Sequence, residues 1–432
     1  MNKSIWETTS EIPTFQPLRG HLKTDVLIVG GGMSGLLCAY RLSQSGIDCA
    51  LLEAERICGG VTKNTTAKIT SQHGLLYDSL IQHFGIEKAR MVLDANEAAL
   101  RQYRELCRDI PCGYEEKRSY VYTLERVDKL EKELAALDML GHPASFVEEL
   151  PLPFSTKGAI CFEQQAQFHP LQFAAHIAKG LAIYEHSPVL ELADHWARTK
   201  TGSVTASKII IATHFPILNK HGSYFLKLYQ HRSYVLALEN APNLNGMYVD
   251  EADKGMSFRN YENLLFIGGG DHRTGKQGGN WAELSAFTKK HYPDAREVCR
   301  WATQDCMSLD GVPYIGQYAG NTPDLYVITG FNKWGMSSSM AAASMMCDLI
   351  RGKENPYASA FSPSRTMLRP QLLINGLEAV GNLLTPTHPR CPHLGCALKW
   401  NKAEHSWDCP CHGSRFTEDG ELLDNPATGD LS

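Results

Sequence analysis

No stretch of this chain approaches the roughly 18 apolar residues that a membrane-spanning helix requires. Residues 1–20 carry Glu7, Glu11, Pro13 and Pro17 in place of a basic start and an apolar run, which argues against a secretory signal. A cytoplasmic protein with no integral membrane segment is therefore expected. Positive charge is also scarce. Lys and Arg number 42 against 47 Asp and Glu, a formal net charge of -5, and no basic tract stands out, so nothing favours a nucleic-acid partner. The chain has no internal repeat and no low-complexity segment.

What is present suits two or three globular domains. The 432 residues are 43% hydrophobic and 21% charged. Asp25-Val-Leu-Ile-Val29 reads as a buried strand, a helix with Leu36, Leu37, Tyr40 and Leu42 on its apolar positions follows, and Gly46 stops it. Cys49-Ala-Leu-Leu52 is the next strand, which completes a βαβ unit. The stretch 86–140 has helical spacing, Ile209-Ile-Ile211 is another buried strand, and alternation from Tyr224 to Gly269 predicts an antiparallel sheet. Tyr326–Thr329 is a strand, a helix runs from about Ser337 to Ile350, and Pro356, Pro363 and Pro370 mark a linker.

Inside the βαβ unit, Gly30-Gly-Gly32-Met33-Ser34-Gly35 fits G-x-G-x-x-G, and Glu53 follows 23 residues after Gly30. Gly30 makes the tight turn, Gly32 lets backbone N–H groups reach a pyrophosphate, and Gly35 lets helix meet sheet. The helix N-terminus supplies partial positive charge, and Glu53 is placed for ribose hydroxyls. A second glycine run, Gly268-Gly-Gly270, lacks a following helix and acid and is read as a turn.

From Thr24 to Pro363 the chain resembles the D-amino-acid oxidase/glycine oxidase/sarcosine oxidase superfamily. The resemblance rests on Asp25–Gly35, Ile209-Ile-Ile-Ala-Thr213, Asp310-Gly-Val-Pro-Tyr-Ile-Gly316 and Gly330-Phe-Asn-Lys-Trp-Gly-Met-Ser337. It implies FAD, with Val189 meeting adenine and Gly335, Met336 and Ser337 closing over the flavin. It further implies a Rossmann-like α/β domain (about 24–75, 155–215 and 305–360) interleaved with an antiparallel-sheet substrate domain (about 76–154 and 216–304), together spanning 1–365. Lys68 and Lys333 are catalytic candidates by position, with a solvated surface charge as the alternative for each, and His73 is a third. Cys306 resembles the cysteine that sarcosine oxidases link to flavin, or is a plain buried thiol. Ser337 stands where those oxidases place a carboxylate-binding Lys, which leaves Arg259 or Arg273 to serve a carboxylate.

Thirteen cysteines divide unevenly. Nine are spread singly from Cys38 to Cys347, and four fall between Cys391 and Cys411. Cys391-Pro-His393 and Cys409-Pro-Cys-His412 give C-x-H, a 15-residue gap and C-x-x-H. A Cys2His2 zinc site uses the same residue types but needs none of the intervening Pro, Gly and Cys residues. Cys391-Pro-His-Leu-Gly-Cys396 with Cys409-Pro-Cys-His-Gly-Ser414 resembles the Rieske family, whose [2Fe–2S] cluster takes two Cys on one iron and two His on the other. The resemblance implies Cys391, His393, Cys409 and His412 as ligands and a Cys396–Cys411 disulfide.

Only Ser364–Arg390 precedes Cys391, so a minimal all-β module at 385–432, after a linker at 366–384, is expected to lean on the flavoprotein. Ser414 keeps the hydroxyl aimed at a cluster sulfur, while Phe416 stands where high-potential members carry Tyr, which implies a lower potential. The expected activity is FAD-dependent oxidation of an amine or amino-acid-like substrate at a C–N bond. Electrons then pass to the cluster and to an external carrier. The alternative is a relay between proteins without a small substrate.

Overall fold

The computed structural model describes residues 3–386 and 389–431. Met1, Asn2, Thr387, His388 and Ser432, which fall within the expected segments, lie outside the described residues. The first sheet has the spatial order Tyr314–Gln317, Leu325–Thr329, Gly202–Ile211, Gly20–Val29, Cys49–Leu52, Ile183–Tyr184, with a hairpin (Glu191–Ala193, Trp196–Arg198) at one side. Gly20–Val29 pairs in parallel with both Gly202–Ile211 and Cys49–Leu52. Its end, Val26 to Val29, is buried on both faces, as a parallel sheet requires. Helix Met33–Gln44 covers one face and packs against helix Gly335–Ile350, where Ala341, Ala342 and Ala343 permit close approach.

A second sheet of nine strands runs from Arg296–Ser308 through Leu228–Glu239, Leu264–Arg273, Ser257–Tyr261, Met247–Asp250 and Glu115–Thr123 to Gly158–Gln167 and Lys68–Ile69, with Ser145–Val147 also paired on Gly158–Gln167. It is antiparallel except where Met247–Asp250 pairs in parallel with Glu115–Thr123. Two expectations change here. Gly158–Gln167, read with the nucleotide-binding parts, belongs to this sheet because it pairs along Glu115–Thr123. Gly268-Gly-Gly270 lies inside the strand Leu264–Arg273 and is not a turn. Helix Asn280–His291 presses so close that Gly270 has Asn280 backbone where a Cβ would be, and a Cβ on Gly268 would stand 2.6 Å from Ser257 Oγ.

The last sheet has four short antiparallel strands, Lys399–Asn401, Ser406–Asp408, Arg415–Thr417 and Leu422–Asp424. The stretch expected as a linker is largely a helix, Pro370–Leu384, begun by a proline at its first turn. No described helix is long and apolar enough to cross a membrane.

Candidate functional site: a nucleotide cavity walled by a cysteine–histidine module

A cavity of about 1090 Å³ opens at the C-terminal edge of the first sheet. Gly30, Gly32, Met33 and Ser34 form one end, with Glu53, Ser187 and Val189 beside them. The helix Met33–Gln44 points its first turn, which carries no acidic residue, at this end. Its leading amides lack intrahelical partners and suit phosphate oxygens. Gly35 lies just outside the wall. A Cβ there would stand 1.9 Å from the Gly30 carbonyl oxygen, so only glycine lets the helix sit on the turn. The Glu53 carboxylate accepts from Gly31 N at 2.6 Å and from Glu55 N at 3.0 Å, bracing the turn. Burial raises its pKa against those bonds. These residues fit an adenine dinucleotide.

Lys68, Lys333, Gly335 and Met336 line the cavity farther along, with Asp271, Asp305 and His231. The Lys68 ammonium, 3.2 Å from Thr66 Oγ1, is pulled to about 7 by burial and by the charge of Arg259. Lys333 is ion-paired with Asp271. Burial would strip its proton, but Asp271 and Asp305 outweigh burial and hold it above its ordinary value. Asp305 is pushed up to about 6 by burial, and His231 is drawn down to about 4 by burial and by Lys333.

Other sequence candidates lie behind the wall or are committed elsewhere. His73 and Ser337 lie behind it, 2.9 Å apart through Nε2 and Oγ, and His73 stacks on Trp334, which does line the cavity. Burial lowers His73 to about 4, so it serves as a neutral brace. Cys306 points into the opposite core, its sulfur 3.6 Å from Thr329 Oγ1, because strand alternation gives the cavity to Asp305 and Met307. Arg259 is fully buried under Trp6, Tyr261 and Phe266 and donates to the Thr66 and Ala67 carbonyls. Arg273 lines the cavity, but its guanidinium is committed to Pro410 O, Asn375 Oδ1 and Cys411 O. Arg273 is therefore committed, and Arg259, whose Nε and Nη2 are buried without a partner, lies behind the cavity wall.

The remaining wall comes from the end of the chain, through Leu422–Asn425 and Ala427–Asp430. The Asn425 side chain donates to the carbonyls of Thr213 and Phe215. Phe215 meets the rings of His393 and His412 edge to face, at 6.3 and 6.0 Å. Those two rings lie 5.0 Å apart. Both Nδ1 atoms are buried without a partner, while the Nε2 atoms are held by Asn219 Oδ1 at 2.9 Å and Phe225 O at 3.0 Å. Buried Cys391 and Cys409 complete the set. Two unpartnered nitrogens beside two buried thiols fit a two-Cys, two-His iron–sulfur cluster.

The expected Cys396–Cys411 disulfide is absent. Both thiols are free, and the sulfurs of Cys396, Cys409 and Cys411 share one cluster within 4.8 Å without a bond between them. Ser414 Oγ accepts from Ala427 N at 3.0 Å, which leaves its O–H to donate elsewhere.

A buried ion network docks the module on the second sheet. Glu404 takes Arg232 Nε at 3.0 Å, the Tyr234 hydroxyl at 3.0 Å and Arg415 Nη2 at 2.9 Å, and Arg415 also binds Asp408 and Asp424. Gln304 and Gln230 donate to the carbonyls of Gly413 and His412. Gly413 packs so closely that a Cβ would stand 2.7 Å from the Gln230 side chain. None of Arg232, Glu404, Asn425 or Phe215 announces itself in sequence, because each acts across more than 150 residues of chain.

Fold and site together define a flavoprotein joined to a Rieske-type module. The chain matches the FAD-dependent oxidoreductase family over residues 25–349 and the Rieske [2Fe-2S] domain over 371–432, and it belongs to that oxidoreductase family. It is 33% identical to the Rieske 2Fe-2S iron-sulfur protein YhfW of Bacillus subtilis, over 98% of this chain and 96% of that protein. Gamma-glutamylputrescine oxidoreductase of Escherichia coli is 23% identical over 78% of this chain and 86% of its own length. Among solved structures, L-proline dehydrogenase from P. horikoshii superposes with a TM-score of 0.69 at 16% identity, over 81% of this chain and 98% of that one. The cofactors of this chain are FAD and a [2Fe–2S] cluster.

Proposed function

We propose that the protein oxidises a small cationic amine at a C–N bond, passing the electrons through its own cluster to an external carrier in the cytoplasm. When bound, FAD supplies a two-electron hydride acceptor and the cluster a one-electron carrier. The carrying observation is that residues 422–430 of the Rieske module form part of the same cavity wall as Gly30–Ser34. A module that closes the flavin cavity is placed to take its electrons.

The residues divide the work. Gly32 and Ser34 would hold the pyrophosphate by backbone amides, Gly30 and Met33, whose own amides donate to Leu52 O and Thr62 Oγ1, shape the turn around it, Glu53 would hold the ribose, and Val189 would border the adenine. Gly335 and Met336 close the far end, and Gly35 and Ser337 support from behind. Lys68, whose burial favours its neutral form near pH 7, is available to hold or accept a proton beside the reacting carbon. Lys333 stays charged on Asp271 and fixes that carboxylate. Asp271 and Asp305 line the substrate side, Arg273 is committed to Pro410, Asn375 and Cys411, and Arg259, with Nε and Nη2 unpartnered, lies behind the wall and not in it. That favours an amine over an amino acid. Cys391 and Cys409 would hold one iron, and His393 and His412, whose Nδ1 atoms have no partner, would hold the other. The Thr213–Phe215 segment lines the cavity at Thr213 and His214 and meets both histidine rings at Phe215, so it connects the cavity wall to the cluster ligands.

The test is an anaerobic screen of amines with the holoprotein, following flavin absorbance and the reduced-cluster EPR signal together. A substrate bleaches the flavin and then raises the EPR signal. Bleaching only by a reduced protein donor would assign the chain to a relay instead.

A further inference from the structure

The helix Pro370–Leu384 is mounted with its polar side inward. Asn375 and Asn382 are buried, and Asn375 accepts from Arg273 at 2.9 Å and donates to Leu226 O at 3.2 Å. Glu378, the helix's one charged residue, turns back to Lys276 at 2.7 Å. The outward side carries Leu373, Leu377, Val380 and Leu384, exposed by 69%, 66%, 55% and 78%. An ordinary surface helix does the reverse.

These four residues follow a 4-3-4 spacing, the seam along which two helices interlock knobs into holes. The patch is large. Of the fourteen large apolar side chains exposed among the described residues, seven besides the cavity-lining Ile374 fall between Leu368 and Leu394. Together they present on the order of 900 Å², beyond the ~300–600 Å² largest apolar patch of a typical monomer and close to the ~800 Å² per partner of a stable interface. The outward face carries no Lys or Arg to attract an anionic lipid surface. Leu383 adjoins the first ligand loop at Gly395, and Leu394 extends the patch onto that loop.

We infer that this face is the contact with a second copy of the chain. Leu377 and Val380 sit near a two-fold axis, and the partner's helix covers the Cys391–Cys396 loop. A symmetric pairing satisfies the seam with one sequence, since the same patch serves both sides. Dimerisation therefore shields one side of each cluster and leaves carrier access elsewhere.

The experiment is sedimentation of the full holoprotein at micromolar concentration, wild type against a Leu377→Lys, Val380→Lys double variant. The expected result is a two-chain mass for wild type and a one-chain mass for the variant. Both side chains point to solvent within one protomer, so flavin and cluster absorbance stay unchanged. A one-chain wild type at tens of micromolar overturns the inference, as does a variant that stays dimeric. Flotation of a one-chain wild type with phosphatidylcholine/phosphatidylglycerol vesicles would overturn it in favour of a lipid contact.

Discussion

Replacing Glu404 by Gln should undock the Rieske module from the flavoprotein. Glu404 is nearly buried, and burial alone would raise its pKa, yet Arg232 and Arg415 outweigh burial and hold it down to about 2. A carboxyl moved from its ordinary 4.5 to about 2 favours the charged, docked arrangement by about 3 kcal/mol. The amide keeps the shape but removes the charge. Arg415 retains Asp408 and Asp424, whereas Arg232, 4% exposed, is left with Asp424 at 3.9 Å. Removing one member of such a buried set costs about 3–5 kcal/mol, so a shift of roughly 100-fold toward the undocked form follows at the lower value. Native-state proteolysis between Ser364 and Pro386 measures it, with the fluorescence of Trp400 and Trp407 reporting module unfolding in urea. An Arg232→Met, Glu404→Gln double variant should lose less than the two single losses combined. Cleavage rates within about two-fold of wild type would refute the reasoning. The pH dependence has a definite sign. The folded pKa lies below the unfolded one, so this stabilisation is present above about pH 4.5 and fades as pH falls toward 2.

Other outcomes follow from the site. Gly35→Ala should leave the chain folded by circular dichroism yet cut bound flavin at least tenfold, because its Cβ meets the Gly30 carbonyl; normal flavin content contradicts that close approach. Phe416→Tyr should raise the cluster's midpoint potential by about 50 mV, what one hydrogen bond of ~1 kcal/mol yields for one electron; an unchanged EPR-monitored titration counts against it. Acid precipitation of wild type should release all yellow colour into the supernatant, since Cys306 faces away from the cavity, and colour retained in the pellet would show otherwise. Lys68→Met should flatten any limb of the amine-oxidation pH profile near 7, and an unaltered profile removes Lys68 from the chemistry.

The parts legible in sequence are those where neighbours along the chain do the work. The glycine turn, its strand and its helix lie within Asp25–Gln44, and each cysteine–histidine pair sits in one short loop. Periodicity cannot reveal which face of a strand meets the cavity, so Cys306 was a candidate where Asp305 is the lining residue. Likewise Arg259 and Arg273 read as free cations, and only the fold shows Arg273 committed to its partners and Arg259 buried behind the cavity wall. The helix after Pro370 reads as linker because the prolines flanking it dominate the local pattern, while its apolar stripe has no core beneath it.

The cavity wall at 422–430 also constrains how the protein is put together. Those residues follow the second ligand loop and reach the cavity only when that loop is folded on Gln230 and Gln304. A chain emerging from synthesis completes its flavin site last, although the phosphate turn is made near the start. A molecule whose second ligand loop is unfolded lacks one wall of its flavin cavity, so the order in the last fifty residues sets the shape of a pocket founded in the first fifty.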